Sequence, residues 1–364
     1  MTRVLLAGGG TAGHVNPLLA VANELVRQGH SAPSDILVVG TAQGLEARLV
    51  PAAGFTLATT ARLPMPRRMS INAVLFLPRF AFAVGKVVWL IVRHRAEIVA
   101  GFGGYASAPS YVAAWLTRKP LVIHEANAVP GFANKLGSRL TQFVVTTFSH
   151  TPLPNAIVLG MPLARSITHP ETAPTASAAR TAFGLKPGKK TLLVTGGSQG
   201  AQTLNRVLAE VIPDILALGW QILHIVGNRN PLPPSVPGYV ALPYCDRMDL
   251  AFAAASAVIS RAGSATVSEL QVLGLPAIFV PYAVGNGEQE KNAADSLAAG
   301  AAVLVLDRDF TPDRVREVVL PLLGDEKALD RMRRNAKGLG RPGATQAFVE
   351  VMFEALSSPE RKDA

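Results

Sequence analysis

The chain has 364 residues, 49% of them hydrophobic and 16% charged, with 35 Lys and Arg against 25 Asp and Glu. That length and apolar share give each of two α/β domains a core of its own and exclude a disordered or fibrous protein. Its one cysteine, Cys245, excludes an internal disulfide and a cysteine zinc cage and points to a reducing, cytoplasmic setting.

In chain order, residues 1–7 run straight into glycines, too short an apolar stretch for a signal peptide. Short β-branched runs at 4–7, 36–39, 98–100, 121–124 and 143–146 alternate with helical patterns, which predicts a parallel-sheet domain over residues 1–160. Residues 161–190 turn to Pro, Thr, Ala and Ser and read as an interdomain connection. The alternation restarts over 191–343, with strands expected at 191–195, 221–226, 240–242, 257–259, 277–280 and 302–305. Thr311-Pro312 opens a helix, and 344–357 is an amphipathic helix able to pack back on the first domain. Aligning residues 3–9 with 191–197 exposes a repeated strand, glycine turn and helix. Two such halves predict a ligand cleft where they face each other.

The positive charge is one-sided: residues 1–160 hold 14 Lys and Arg against 5 Asp and Glu, the remainder 21 against 20. Within 47–96 there is no acidic residue, and the segment holds eight basic ones and a dense apolar run. Pro78, Arg79 and Lys86 interrupt that run, against a membrane-spanning helix. Two readings stand: a basic, aromatic patch of Leu75, Phe76, Arg79, Phe80, Phe82 and Lys86 resting on an anionic lipid surface, or an ordinary buried helix after Pro78. No zinc motif or recognition-helix pattern supports nucleic-acid binding.

Gly8-x-Gly10-x-x-Gly13 has the dinucleotide spacing, but that fingerprint needs an acid at the end of the second strand, where Val38-Val39-Gly40-Thr41-Ala42-Gln43 has none. Asp35 precedes the strand and Glu46 lies well beyond it, so a nicotinamide enzyme is disfavoured. What the glycines offer is backbone N–H groups at a helix start, an oxyanion site to which Thr11 adds a hydroxyl. His14 beside it reads as a general base or as a capping or core histidine. Gly196-Gly197-Ser198-Gln199-Gly200-Ala201 is a second such loop, with Ser198 and Gln199 as donors. Downstream, Arg261 precedes a small-residue helix start at Ser264, Ala265 and Thr266, and Glu269 suits either ribose hydroxyls or the helix dipole. Gln289 and Asn292 share a helical face and suit sugar hydroxyls. Gly101-Phe102-Gly103-Gly104-Tyr105 and His124-Glu125-Ala126-Asn127 close strands at the edge where Thr11 lies. Asp307-Arg308-Asp309 has the look of a metal-binding D-x-D, though a turn and helix cap fits it better.

Taken together and in order, these motifs closely resemble the MurG-type N-acetylglucosaminyltransferases of peptidoglycan synthesis. The resemblance implies a GT-B fold, two doubly wound Rossmann-like domains, and an inverting transfer of GlcNAc from UDP-GlcNAc to the 4-hydroxyl of MurNAc in lipid I, giving lipid II, with no required metal or cofactor. It further implies a peripheral enzyme on the cytoplasmic face of the cell membrane, touching the anionic inner leaflet and other wall-synthesis proteins, with a part in cell shape and division. Carried onto this chain, Thr11, Ala12 and Gly13 lie at the donor diphosphate and the acceptor junction, with Tyr105 at the same edge and Asn127 near the sugars. Ser198 meets the diphosphate, Glu269 the ribose, Gln289 the GlcNAc and Cys245 the uracil. His14 is the expected base and Glu125 the second choice. Relatives carry Pro-x-Arg after the crossing, whereas this chain reads Met161-Pro162-Leu163-Ala164-Arg165, so Arg165 stands one place late. Rival readings are a UDP-GlcNAc 2-epimerase, a transferase with another acceptor, or a nucleotide-sugar-binding protein without chemistry.

Overall fold

In the computed structural model the described residues are 1–63, 75–169, 174–197, 200–282 and 287–358. They fall into two units, residues 1–164 with 343–364, and residues 165–342.

The first unit is one parallel seven-stranded sheet in the order β3-β2-β1-β4-β5-β6-β7. Its strands are β1 (Val4–Ala7), β2 (Ile36–Thr41), β3 (Thr56–Thr60), β4 (Ile98–Gly101), β5 (Leu121–Glu125), β6 (Phe143–Thr146) and β7 (Ala156–Val158). The alternation of β1 explains why helices cover both faces. Val4 and Leu6 point to one core and Leu5 and Ala7 to the other. The first core is closed by helix α1 (Ala12–Arg27) and the second by helices lying beyond α2 (Glu46–Ala52), namely α3 (Phe76–His94) and α4 (Ser107–Leu116). A short α5 (Phe132–Gly137) follows β5. The edge strands β3 and β7 were not among the expected strands. Thr56-Leu57-Ala58-Thr59-Thr60 is mostly polar and half-exposed, and β7 has only three residues, so neither shows the buried apolar signature.

The second unit repeats the order in six parallel strands, β10-β9-β8-β11-β12-β13. These are β8 (Thr191–Thr195), β9 (Gln221–Ile225), β10 (Tyr239–Leu242), β11 (Ala257–Ser260), β12 (Ala277–Phe279) and β13 (Ala302–Leu304). Helices α6 (Gln202–Ala217), α7 (Met248–Ala254), α8 (Ser264–Leu273), α9 (Glu288–Asn292) and α10 (Glu326–Leu339) lie between and after them. The segment 161–190 is not a bare connection. It carries helices Arg165–Thr168 and Ala176–Ala182, and the second is fastened by Arg180, which donates to Ala254 O and Ser256 Oγ.

The last helix, α11 (Ala344–Ser357), belongs to the first unit. Phe348, Val349 and Met352 enter the core that holds Val4, Leu6 and Phe102. Thr345 Oγ1 accepts from Leu163 N–H at 3.0 Å and donates to Leu163 O at 2.9 Å, which fixes the start of the helix.

Candidate active site

In each sheet the strand order reverses beside the first strand, so the loops leaving the two central strands diverge and open a crevice at their carboxyl ends. In the first unit those strands are β1 and β4, which lead into Gly8–Thr11 and Phe102–Tyr105. Thr11 is the extended residue ahead of α1, and Val15 N–H makes a helical bond to its carbonyl at 3.1 Å. The N–H groups of Ala12 and Gly13 therefore precede the helical ladder at the positive end of the helix dipole.

His14 stands in that first turn, half-buried, with Nδ1 3.0 Å from Gly9 O and 3.3 Å from Thr11 Oγ1. A carbonyl only accepts, so Nδ1 carries the proton, and Nε2 of the neutral ring is the basic nitrogen. That nitrogen lies over Gly103, where an added Cβ would come within 3.1 Å of it. Tyr105 is exposed with the Arg62 guanidinium 5.2 Å from its ring centre.

Glu125 ends β5 and is buried, and both of its oxygens are engaged. Oε1 accepts from Asn127 N–H at 2.9 Å, and Oε2 accepts from Gly131 N–H and Asn134 Nδ2, each at 2.9 Å. Asn134 in turn donates to His124 O and accepts from the buried Tyr111 hydroxyl at 2.6 Å. Asn134 and Tyr111 were not singled out from the sequence. The one available signal was an amide nine residues beyond Glu125 in a short helix. Neighbouring His124 is fully buried among Phe102 and Phe348, with Nε2 3.1 Å from Gly160 O. Burial pulls it down to about 4, so it is a neutral core histidine.

In the second unit the central strands are β8 and β11. Of the loop after β8, Ser198 and Gln199 lie outside the described residues. Gly197 N–H donates to Thr195 Oγ1 at 3.2 Å, and Gly200, at φ +73°, sits where a Cβ would strike the Val226 carbonyl. After β11, Ser264, Ala265 and Thr266 form the first turn of α8, and Val267 N–H makes the first bond back, to Gly263 O at 2.9 Å. Their three N–H groups precede the ladder as those of α1 do. Glu269 lies one turn further on and has no side-chain partner among the described residues. Burial alone pushes its carboxyl up to about 8.

Arg261 does not stand free. It donates to Val280 O at 2.9 Å and Pro281 O at 3.2 Å and pairs with Asp307, whose other oxygen accepts from Thr203 Oγ1 at 3.2 Å. The first aspartate of the D-x-D is thus the counter-ion of Arg261 and not a helix cap. The cap is Thr311, which accepts from Arg314 N–H. Gln289 Oε1 accepts from Tyr282 N–H at 2.9 Å, which leaves its NH2 end without a partner among the described residues, while Asn292 is buried and donates to Ala262 O at 3.3 Å. Gln289 and Asn292, expected as a pair, therefore differ: Asn292 ties α9 to the loop after β11. Cys245 is half-buried beyond β10, and Arg165 is exposed at the start of a four-residue helix.

Leu75 just ahead of α3 is exposed, and the exposed face of α3 carries Arg79, Phe82, Lys86, Trp89, Val92 and Arg93. Phe76 and Phe80 depart from the expected patch. They are half-buried and stack on each other at 5.8 Å, and Phe80 packs on the core, because its position on the helical wheel faces the sheet. Adjacent α4 leaves Trp115 and Leu116 exposed. Among the described residues no helix is long and apolar enough to cross a membrane.

The glycosyltransferase family 28 N-terminal domain matches residues 4–146, and the glycosyltransferase family 28 C-terminal domain matches residues 191–348. A protein of Clavibacter michiganensis subsp. michiganensis, the UDP-N-acetylglucosamine–N-acetylmuramyl-(pentapeptide) pyrophosphoryl-undecaprenol N-acetylglucosamine transferase, is 50% identical over 100% of this chain and 99% of its own length. Among solved structures, MurG of Acinetobacter baumannii superposes with a TM-score of 0.75 at 27% identity, covering 97% of this chain and all of that one. A UDP-GlcNAc 2-epimerase of Neisseria meningitidis reaches 0.68 at 14% identity, over 97% of this chain and all of that one, a likeness of fold alone. With both domains matched and a relative half identical from end to end, the chain belongs to glycosyltransferase family 28.

Proposed function

We propose that this chain moves N-acetylglucosamine, with inversion, from UDP-N-acetylglucosamine to the MurNAc 4-hydroxyl of undecaprenyl-diphosphate-linked MurNAc-pentapeptide, the lipid I to lipid II step of peptidoglycan synthesis. The observation that carries the reading is the 50% identity, over the whole chain, to a transferase whose name pairs that donor with that class of acceptor.

In this reading His14 Nε2 takes the proton of the acceptor hydroxyl as its oxygen bonds to C1 of the donor sugar. The bond from C1 to the diphosphate oxygen breaks on the opposite face, and UDP leaves with the electron pair. N–H groups at the start of α8 and in the loop after β8 meet the growing negative charge. Glu269 accepts from the ribose hydroxyls, and the free NH2 end of Gln289 meets the donor sugar. Glu125, with both oxygens committed, holds the 127–131 loop and so places Asn127. A metal is not assigned, because Asp307 is already engaged by Arg261 and Thr203.

The exposed face of α3, with Arg79, Lys86 and Arg93 among Phe82, Trp89 and Val92, is the surface we assign to the anionic leaflet that carries the acceptor. The test is incubation with UDP-GlcNAc and a short-chain lipid I analogue, with and without a chelator. UDP release with a disaccharide product, unchanged by chelation, is expected. UDP-ManNAc formed without an acceptor would replace the reading with an epimerase.

A further inference from the structure

The acid that the dinucleotide fingerprint lacks at the end of β2 is present five residues later and does something else. Glu46 opens α2 and is wholly buried. Its Oε1 accepts from Thr41 N–H at 2.8 Å and from Thr41 Oγ1 at 2.7 Å, and its Oε2 accepts from Gly10 N–H at 2.8 Å. Burial by itself would raise this carboxyl. The three donors outweigh it and hold Glu46 below the usual carboxylate range, so the group is an anion. The surroundings are shaped to admit it, since a Cβ at Gly9, Gly40 or Gly44 would run into the Glu46 side chain.

Gly10 N–H belongs to the same peptide plane as Gly9 C=O, and in a trans peptide the two point in opposite directions. No peptide bond among the described residues is cis. The plane is thus gripped on both edges, by the Glu46 carboxylate at the N–H and by His14 Nδ1, 3.0 Å away, at the carbonyl. A carboxylate on the N–H polarises the amide and makes its carbonyl a stronger acceptor. We infer that Glu46 is a positioning residue for the transfer, acting on His14 through the Gly9–Gly10 peptide. It fixes the imidazole in the Nδ1–H form with Nε2 as the basic nitrogen and stabilises the imidazolium formed when Nε2 takes the acceptor proton. A carboxylate bonded directly to Nδ1 does this in hydrolase triads, and here one amide is interposed. The inference rests on the reading of His14 as the base.

The test is a double-mutant cycle on kcat, with KM for UDP-GlcNAc followed in parallel and 15N spectra of the histidines recorded. His14→Ala is expected to lower kcat about 100-fold or more with donor binding nearly intact. Glu46→Gln keeps the shape but turns an NH2 group toward Gly10 N–H. It is expected to lower kcat about 10-fold with KM for the donor unchanged, and to move His14 from the Nδ1–H form to a mixture of tautomers. In the His14→Ala background Glu46→Gln is expected to change nothing further. An equal loss from Glu46→Gln in both backgrounds, or an unchanged His14 tautomer, overturns the inference while leaving His14 as base. A His14→Ala enzyme with full kcat overturns the reading beneath it. Should Glu46→Gln fail to fold, Thr41→Val removes one of the three bonds. It is expected to give a smaller loss that depends on His14 in the same way, and a loss independent of His14 refutes the relay.

Discussion

Replacing Glu125 by glutamine keeps the size of the side chain and removes its charge. The carboxylate accepts three N–H bonds, from Asn127, Gly131 and Asn134, in a place that water does not reach. A glutamine with its oxygen in the place of Oε2 keeps the Gly131 and Asn134 bonds, but its NH2 group then faces the Asn127 N–H. A lost bond to a charged acceptor is worth about 1.5–3 kcal/mol, so the variant is expected to lose about 1.5–3 kcal/mol. For a unit of this size, about 2–4 °C of Tm per kcal/mol converts the loss to a drop of about 6 °C. Thermal unfolding followed by circular dichroism measures it, beside kcat and the acceptor KM. The loosened 127–131 loop is expected to raise that KM and to lower kcat by about 10- to 100-fold. A variant that unfolds within about 2 °C of the parent while losing more than about 1,000-fold in kcat would make Glu125 the base and refute the reasoning.

Glu269 is expected to bind the ribose as a carboxylate, and in the free protein it is held up at about 8. Affinity for UDP-GlcNAc, followed by calorimetry, should therefore rise as pH rises from about 6 to 8, at most tenfold per pH unit, and Glu269→Gln should flatten the profile. His124 and His224, one in each unit, are buried and pulled down to about 4 by desolvation. Their folded values lie below the ordinary 6.5, so their share of stability is full above about pH 6.5 and is lost as pH falls toward 4. That loss is about 3 kcal/mol each at the acid end, and urea titrations from pH 7 to 4 would show it as a falling midpoint. Phe82→Ser with Trp89→Ser should abolish co-sedimentation with anionic vesicles. In the parent, binding that ignores both lipid charge and salt would remove α3 as the docking face.

Much of this architecture was legible because its signal is local. Buried strands such as Leu192-Leu193-Val194 are apolar on both faces, and each glycine turn directly follows its strand. The edge strands were not, because β3 draws on threonines and pairing decides its state more than composition does. At the site, the residue types near a glycine loop could be read, but their use could not. Arg261 and Asp307 are 46 residues apart, Gly10 and Glu46 are 36 apart, and no periodicity links such pairs. Asn292 looked like a sugar ligand on a helical face, and only burial shows that it ties α9 to Ala262.

The two units, each with a glycine loop after the first strand of its sheet, differ in what a carboxylate near the central strand ends does. In the first unit Glu46 has three donors from its own chain, and the amide it occupies is spent on holding His14. A buried anion so fully satisfied stabilises one arrangement and takes no ligand. In the second unit Glu269 is half-buried with no such donor among the described residues, and desolvation holds its carboxyl up at about 8. A half-buried carboxylate that the protein itself does not engage is open to a ligand, and a ribose diol brings two O–H donors at the spacing of one carboxylate. On the proposed roles, the first unit is built in advance around His14 Nε2, and the second is completed by the nucleotide of the donor. That difference predicts that UDP-GlcNAc raises the unfolding temperature of the second unit and leaves that of the first unchanged.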